Sequence, residues 1–139
     1  MGDFMKLAVW QKAHELTLQI YERTASWPRH ELFGLTSQIR RAAASIAANI
    51  AEGCGRNSDA ELARYARTSL GSANELSYYV ILARDLSYLD SADHDDLERG
   101  VSEVRRMLSS LERVSALAAA RAKLSARHRR VAGKPVASG

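Results

Sequence analysis

The chain has 139 residues, of which 46% are hydrophobic and 26% are charged. This length and composition suit one globular domain with a single core and exclude a disordered chain. A single cysteine, Cys54, excludes an internal disulfide and fits a reducing compartment. The sequence lacks a run of about 18 apolar residues, a signal peptide and a myristoylation pattern. We therefore expect a cytoplasmic protein without membrane contacts.

The net charge of +4 is unevenly distributed along the chain. Residues 121–139 hold six basic residues and no acid, so residues 1–120 carry a net charge of −2. Residues 85–98 hold six acids and neither lysine nor arginine. Acids at the start of a helix interact favourably with its dipole, which accounts for this cluster without a metal. Residues 125–139 lack apolar periodicity, so the sequence predicts a helical domain over 1–124 and a basic, disordered tail over 125–139.

Apolar periodicity predicts four helices and no strand. Pro28 is expected to end the first helix, because proline disfavours the helical conformation at the residue before it. In the connector after it, we expect Leu32 and Phe33 to cover the end of the core. Ser58 and Glu61 have the spacing of a capping box at the start of the third helix. The predicted helices span about Met5 to Ser26, Leu35 to Glu52, Ser58 to Leu86, and Ser91 to Leu124.

Glycines mark two further features of the predicted helices. Gly53 and Gly55 are expected to end the second helix. Gly71 lies in the middle of the third, where glycine costs about 1 kcal/mol relative to alanine. Gly71 and Ser72 therefore predict a close approach of a neighbouring helix. Four helices joined by short connectors predict an all-α, up-down-up-down four-helix bundle.

When the residues of the second predicted helix are placed at 100° intervals around its axis, they fall into three bands, one apolar, one polar and one of small residues. Alanine allows another backbone to come close, so we expect this helix to be covered on two sides. The polar band is interpreted either as an internal hydrogen-bond ladder or as a stripe that faces a ligand or partner. The three bands are Ile39, Ala43, Ile46 and Ile50; Gln38, Arg41, Ser45, Asn49 and Glu52; and Ala44, Ala47, Ala48 and Ala51.

Candidate chemistry is sparse. Helical bundles hold di-metal sites with Glu-x-x-His pairs, and none of the four histidines has a glutamate three residues before it. Cys54 is predicted at a helix C-terminus, which does not lower the pKa of a thiol. Glu52 and Glu75 could meet as paired carboxylates, although the nearby arginines favour ion pairing. The sequence thus predicts no enzyme, metal or cofactor; a minor alternative is a small-ligand or catalytic site at Asn49, Glu52 and Glu75.

Two binding hypotheses remain. Arginines cluster around the junction of the second and third helices and suit phosphate, which favours RNA or DNA binding together with the basic tail. No aromatic residues are interleaved for base stacking, so contacts to the backbone are expected. The alternative is an assembly or adaptor protein whose polar stripe joins subunits or binds a protein partner. The candidate residues are Arg40, Arg41, Ser45, Asn49, Glu52, Arg56, Arg64, Arg67 and Glu75.

Four motifs resemble a known family, the bacterial four-helix-bundle proteins called 23S rRNA-intervening-sequence proteins. They are L-A-V-W-Q-K-A-H-E-L from Leu7, P-R-H-E-L-F-G-L-T-S-Q-I-R-R-A-A-A-S-I-A-A-N-I-A-E-G from Pro28, G-R-N-S from Gly55 and G-S-A-N-E-L from Gly71. The likeness covers about Phe4 to Leu111, and the stretch from Gln38 to Gly53 matches the hallmark of the family. Its hallmark positions here are Arg40, Arg41, Ser45, Asn49, Glu52, Gly53, Arg56, Gly71, Ser72 and Glu75.

This resemblance implies a ring-like homopentamer without established enzymatic activity. Some members are encoded within insertions in large-subunit ribosomal RNA genes. A related group, the accessory variability determinants of diversity-generating retroelements, forms basic pentameric barrels that bind nucleic acid and a reverse transcriptase. Residues 1–120 are net negative here, unlike such a barrel. The expected partners are further copies of the chain, RNA or DNA, or another protein.

Overall fold

A computed structural model of the chain describes residues 3–136 as four helices and two short 3-10 turns, without a strand. The predicted all-α bundle of four helices is confirmed. None of the helices within residues 3–136 has the length and hydropathy that crossing a membrane requires. The 3-10 turns, Phe4–Lys6 and Arg29–Glu31, precede the first and second helices. The helices are α1 (Ala8–Thr24), α2 (Leu35–Gly55), α3 (Asp59–Asp85) and α4 (Ser91–Ala132).

The first and last helices lie side by side and run in opposite directions. Arg23, near the end of α1, forms ion pairs with Asp93 and Asp96 in the first turns of α4. Lys12, near the start of α1, lies 3.7 Å from Glu103 further along α4. All four helices contribute to one core, whose fully buried side chains include Ile20, Ile39, Ile46, Ile50, Leu76, Val80, Leu97, Val101, Val104 and Leu108.

The junction between α2 and α3 confirms one predicted boundary and corrects another. The Ser58 hydroxyl accepts a hydrogen bond from the Glu61 backbone N–H at 3.2 Å, as the capping box predicted. The prediction that Gly53 and Gly55 end the helix after Glu52 was wrong, because both glycines lie within α2, which continues to Gly55. The chain turns instead at Asn57, whose φ of 54° lies in the left-handed region that asparagine tolerates. Gly53 lies against α3, where it allows the two helices to come close.

Gly71 makes no close approach to another helix of the described chain. It is exposed, and a Cβ built on it would meet no atom within 4 Å. No helix of the described part of the chain therefore requires a glycine here. The conformational cost of Gly71 in the middle of α3 is not offset by a close contact within residues 3–136.

The connector between α1 and α2 covers the core with a different residue from those predicted. Leu32 and Phe33 are 47% and 92% exposed, so neither covers the end of the bundle. Trp27 is buried instead, and its ring lies 5.4 Å from that of Tyr88 in the α3–α4 connector. Tryptophan offers the larger apolar surface, and the 3-10 turn after it carries the next residues outward.

Helix α4 is longer than the sequence predicted. It continues past Leu124 to Ala132 and ends at Gly133, although residues 120–136 are all exposed. Alanine, arginine, lysine and leucine are strong helix formers, so a helix persists here without an apolar stripe facing the core. Residues 125–132, which the sequence placed in a disordered tail, therefore form a helical arm, and residues 137–139 lie outside the described residues.

Candidate functional site

Polar side chains of α2 and α3 form three groups of hydrogen bonds and ion pairs, together called the polar ladder, along the seam between the two helices. At its centre, the hydroxyl groups of Ser45 and Ser72 are 2.9 Å apart. The Asn49 amide donates to the Ser45 carbonyl at 2.8 Å and to the Ser45 hydroxyl at 3.0 Å. The predicted hydrogen-bond ladder is therefore present, and its central groups are half-buried and satisfied by one another.

The first end of the polar ladder is an ion pair between α2 and α3. Arg41 pairs with Glu75 and also donates to the Gln38 side chain at 3.1 Å. The Tyr79 hydroxyl donates to the same Glu75 carboxylate at 2.9 Å. The hydrogen bond from Arg41 to Glu75 raises the pKa of the guanidinium, and that from Tyr79 to Glu75 raises the pKa of the phenol. Arg41 remains about half exposed, so this end is accessible to a partner.

The second end of the polar ladder surrounds an aromatic ring. Arg56 forms an ion pair with Glu52 at 2.8 Å and donates to the Tyr65 hydroxyl at 3.1 Å. The guanidinium carbons of Arg56 and Arg64 lie 5.6 and 4.5 Å from the centre of the Tyr65 ring. Arg64 also donates to Glu61 at 2.8 Å. Tyr65 thus holds two arginines on the surface of the helix junction by cation–π contacts.

Two of the predicted arginines do not belong to the polar ladder. Arg67 forms an ion pair with Glu112 of α4 at 2.7 Å. Arg40 faces α1, where its Nε donates to the Thr24 hydroxyl at 2.8 Å and its guanidinium lies over the Tyr21 ring. The five arginines therefore do not form one continuous phosphate-binding surface.

Glu52 and Glu75 do not meet as a carboxylate pair. Each pairs with its own arginine, and the α2 partners, Arg56 and Arg41, are separated by about 22 Å at 1.5 Å per residue. The ion-pairing interpretation of these glutamates is confirmed. Carboxylates held in this way are not placed to share a proton.

Sequence reasoning missed the aromatic members of this site. Tyr79 lies four residues after Glu75, a spacing that places both side chains on one face of a helix. The i, i+4 spacing was thus a usable signal for Tyr79. The contact of Arg56 with Tyr65 depends on how α2 and α3 cross and had no local signal.

Exposed small residues lie on both sides of the polar ladder. Ala47 is buried within the chain, whereas Ala44 and Ala48 are exposed on α2. Gly71 and Thr68 are exposed on α3. The expectation that α2 is covered on a second side remains a prediction, since no other element of the described chain covers Ala44 and Ala48.

The arm of α4 presents a separate basic surface. Lys123, Arg127, Arg130 and Lys134 follow at intervals of four, three and four residues, and we call them the basic stripe. This spacing places Lys123, Arg127 and Arg130 on one side of the helix, over about 10 Å of its length. Lys134 follows the end of the helix and lies beside them. Their side chains are exposed, and no acidic residue follows Glu112 in the chain.

Cys54 lies in the last turn of α2, on the buried side of the helix. Burial raises the pKa of its thiol, which lowers the fraction of nucleophilic thiolate at neutral pH. Among residues 3–136, no three histidine, cysteine or acidic side chains are grouped closely enough to hold a metal ion.

Comparison with known proteins places this fold in a family. A structure with a TM-score of 0.68 and 25% identity covers 76% of this chain and 98% of its own. It is a protein of unknown function from the S23 ribosomal protein family of Bacteroides thetaiotaomicron. A search of curated proteins gave no match. The sequence model of the family described as 23S rRNA-intervening sequence protein matches residues 5–110. The chain therefore belongs to the 23S rRNA-intervening sequence protein family.

Proposed function

We propose that the protein is a non-catalytic, self-assembling bundle that binds RNA or DNA through the basic stripe of its arm. The observation that carries this proposal is the absence of any acid after Glu112, along a helix that exposes six basic side chains. Such a surface attracts the phosphate backbone and releases counterions on binding. The arm holds no phenylalanine, tyrosine or tryptophan, so contacts to the phosphate backbone are expected to dominate there.

The arginines at the α2–α3 junction have a secondary part in this proposal. Arg41, Arg56, Arg64 and Arg67 each already have a carboxylate partner. A phosphate would have to replace that carboxylate, so the net gain per contact is smaller than on the basic stripe. An arginine of the junction therefore adds affinity mainly if it is exposed enough to bind its carboxylate partner and a phosphate at the same time.

Self-assembly is the second part of the proposal, and Gly71 supports it. A Cβ built on Gly71 would meet no atom within 4 Å, and Ala44 and Ala48 of α2 are exposed as well, so these small residues are suited to contact with a second copy. The ends of the polar ladder would then contact the neighbouring subunit. We propose the ring-like homopentamer of the family resemblance, built from up-down-up-down bundles in the cytoplasm. If the nucleic-acid role fails, the same surface supports an adaptor that binds a protein partner.

The test is RNA and DNA binding measured by fluorescence anisotropy at several salt concentrations. The full chain is compared with a variant in which the four residues of the basic stripe are replaced by glutamine. A matched control replaces Lys6, Arg84, Arg99 and Arg106, which are also exposed. We expect the full chain and the control to bind. The logarithm of their affinity should fall with log[salt] at a slope of about 0.9 per phosphate contact on a duplex.

Loss of binding in the stripe variant alone would support the proposal. Equal losses in both variants would mean that only total charge matters, and no binding by the full chain at low salt would overturn the nucleic-acid role. Molecular mass by light scattering, measured on every variant, separates loss of binding from loss of assembly.

A further inference from the structure

A small cavity lies where α1 ends and α2 begins, at the end of the bundle opposite the arm. Its volume is about 150 Å³, and it lies between the last turn of α1, the connector and the first turns of α2. Two arginines and no carboxylate are among its lining residues. The lining consists of Thr24, Ala25, Trp27, Pro28, Arg29, Leu32, Thr36 and Arg40.

Two buried polar groups of this lining have no hydrogen-bond partner. They are the indole N–H of Trp27, in a residue only 9% exposed, and the hydroxyl of Thr36, in a residue 3% exposed. Leaving such groups unsatisfied is unfavourable, and folded proteins pair nearly all of them. The hydroxyl of Thr24 is already engaged, because it donates to the Ile20 carbonyl at 2.7 Å and accepts from Arg40.

Arg40 distinguishes this cavity from the arginine pairs described above. Each of the other four predicted arginines has a carboxylate partner, whereas Arg40 forms no ion pair with any residue from 3 to 136. Its Nε is used by Thr24, and its two terminal nitrogens remain available. A half-buried guanidinium with free donors favours an anion, since charge-assisted hydrogen bonds are the stronger ones.

We infer that this cavity binds a small oxyanion, a carboxylate or phosphate group, between Arg40, Trp27 and Thr36. All three side chains can donate hydrogen bonds, and the absence of a lining carboxylate removes the group that would repel the ligand. The volume admits one such group with a few water molecules and excludes a nucleotide base beside it. The phosphate of a nucleotide and a free anion share this chemistry, so both are tested.

The test uses fluorescence of Trp27 in the full chain. The chain has two tryptophans, and Trp10 lies on α1, so Trp10→Phe leaves Trp27 as the only indole. Inorganic phosphate, acetate and adenosine monophosphate are added separately at constant ionic strength, with chloride as the reference anion. We expect a saturable change in the Trp27 emission with phosphate or acetate. A response to the nucleotide alone would assign the site to nucleotide phosphate rather than to free anions.

Two variants and a control separate the site from general charge effects. Arg40→Gln should weaken binding at least about tenfold, because it removes the charged donor, and Thr36→Val should weaken it several-fold without changing shape. Arg106→Gln on α4 is the matched control and should bind normally. Circular dichroism checks that each variant is folded, and Thr36→Val keeps the test valid if Arg40→Gln unfolds.

The proposal is overturned if chloride produces the same change or if no anion produces a saturable one. An equal response in wild type, Arg40→Gln and Thr36→Val overturns it as well. The site is independent of the basic stripe, so anion binding should survive replacement of the stripe, and RNA or DNA binding should survive Arg40→Gln.

Discussion

Gly53 of α2 and Tyr65 of α3 lie so close that a Cβ on the glycine would be 2.8 Å from the Cβ of the tyrosine. The tyrosine Cβ is fixed to the α3 backbone, so a methyl group here can only be accommodated if the helices separate. We therefore expect Gly53→Ala to lower the free energy of unfolding by about 1–3 kcal/mol, the usual cost of overpacking. Chemical denaturation monitored by circular dichroism measures this change.

Gly71→Ala is the matched control for that substitution. Both glycines are helical, but a methyl group at Gly71 would contact nothing within the described chain. Alanine should therefore raise the helix stability by about 0.5–1 kcal/mol when the protein is dilute. Equal destabilisation by the two substitutions would contradict the packing difference between these sites.

Arg41→Ala should change the assembly before it changes nucleic-acid binding. Arg41 joins α2 to α3 through Glu75 at an exposed end of the polar ladder, where a second copy would make contact. We expect a lower oligomeric mass by light scattering, with RNA affinity per chain nearly unchanged. Arg67→Ala, which breaks an equally exposed pair with Glu112, is the control and should leave the mass unchanged. Loss of RNA binding at constant mass would instead make Arg41 part of the nucleic-acid site.

Truncation after residue 120 should leave the unfolding free energy of the bundle nearly unchanged. Every described residue from 120 onward is exposed, so the deletion removes no core contacts. The far-UV circular dichroism signal should fall by the helical contribution of residues 121–132, because α4 continues to Ala132. A large loss of stability would show that the arm packs on another surface of the protein.

Stability should decrease at high pH, in part because of Tyr79. Its hydrogen bond to the Glu75 carboxylate raises the pKa of the phenol above the ordinary value of 10.0. Between pH 10.0 and the raised pKa of the folded state, the unfolded chain loses the phenol proton while the folded chain keeps it. The contribution of Tyr79 is therefore complete below pH 10 and is lost as the pH rises through the folded pKa.

Denaturation at a series of pH values tests this contribution. Tyr79→Phe should weaken the decrease in stability above pH 10, although the raised pKa of Tyr88 leaves part of it. Tyr78→Phe is the control, because it removes the exposed hydroxyl of the preceding residue and leaves the Tyr79–Glu75 hydrogen bond in place. Identical pH profiles for the three proteins would contradict the role of the Tyr79–Glu75 hydrogen bond.

Local signals predicted the parts of the fold that depend on local physics. The start of α3 follows from Ser58 and Glu61, and the core side of α2 follows from apolar spacing alone. The role of Gly53 was misassigned because glycine permits both a helix stop and a close helix contact, and only the crossing of α2 and α3 decides between them. The end of α4 was misplaced because helix propensity extends a helix beyond its last core contact.

The candidate site divides in the same way. Residues of the polar band on α2 share a face at helical spacing, so their proximity was predictable. Arg40 was grouped with Arg41 because they are adjacent in sequence, yet adjacent helical residues point about 100° apart. That angle directs Arg40 to α1 and Arg41 to α3, and it separates Arg40 from the polar ladder.

The length of α4 has a hydrodynamic consequence. At 1.5 Å per residue, its 42 residues extend about 63 Å, compared with about 40 Å for the 27 residues of α3. A rod that projects this far from a compact body increases friction in solution without adding much mass. The 15.3 kDa chain should therefore elute from a sizing column ahead of globular standards of equal mass, and elution volume alone would overstate its subunit number.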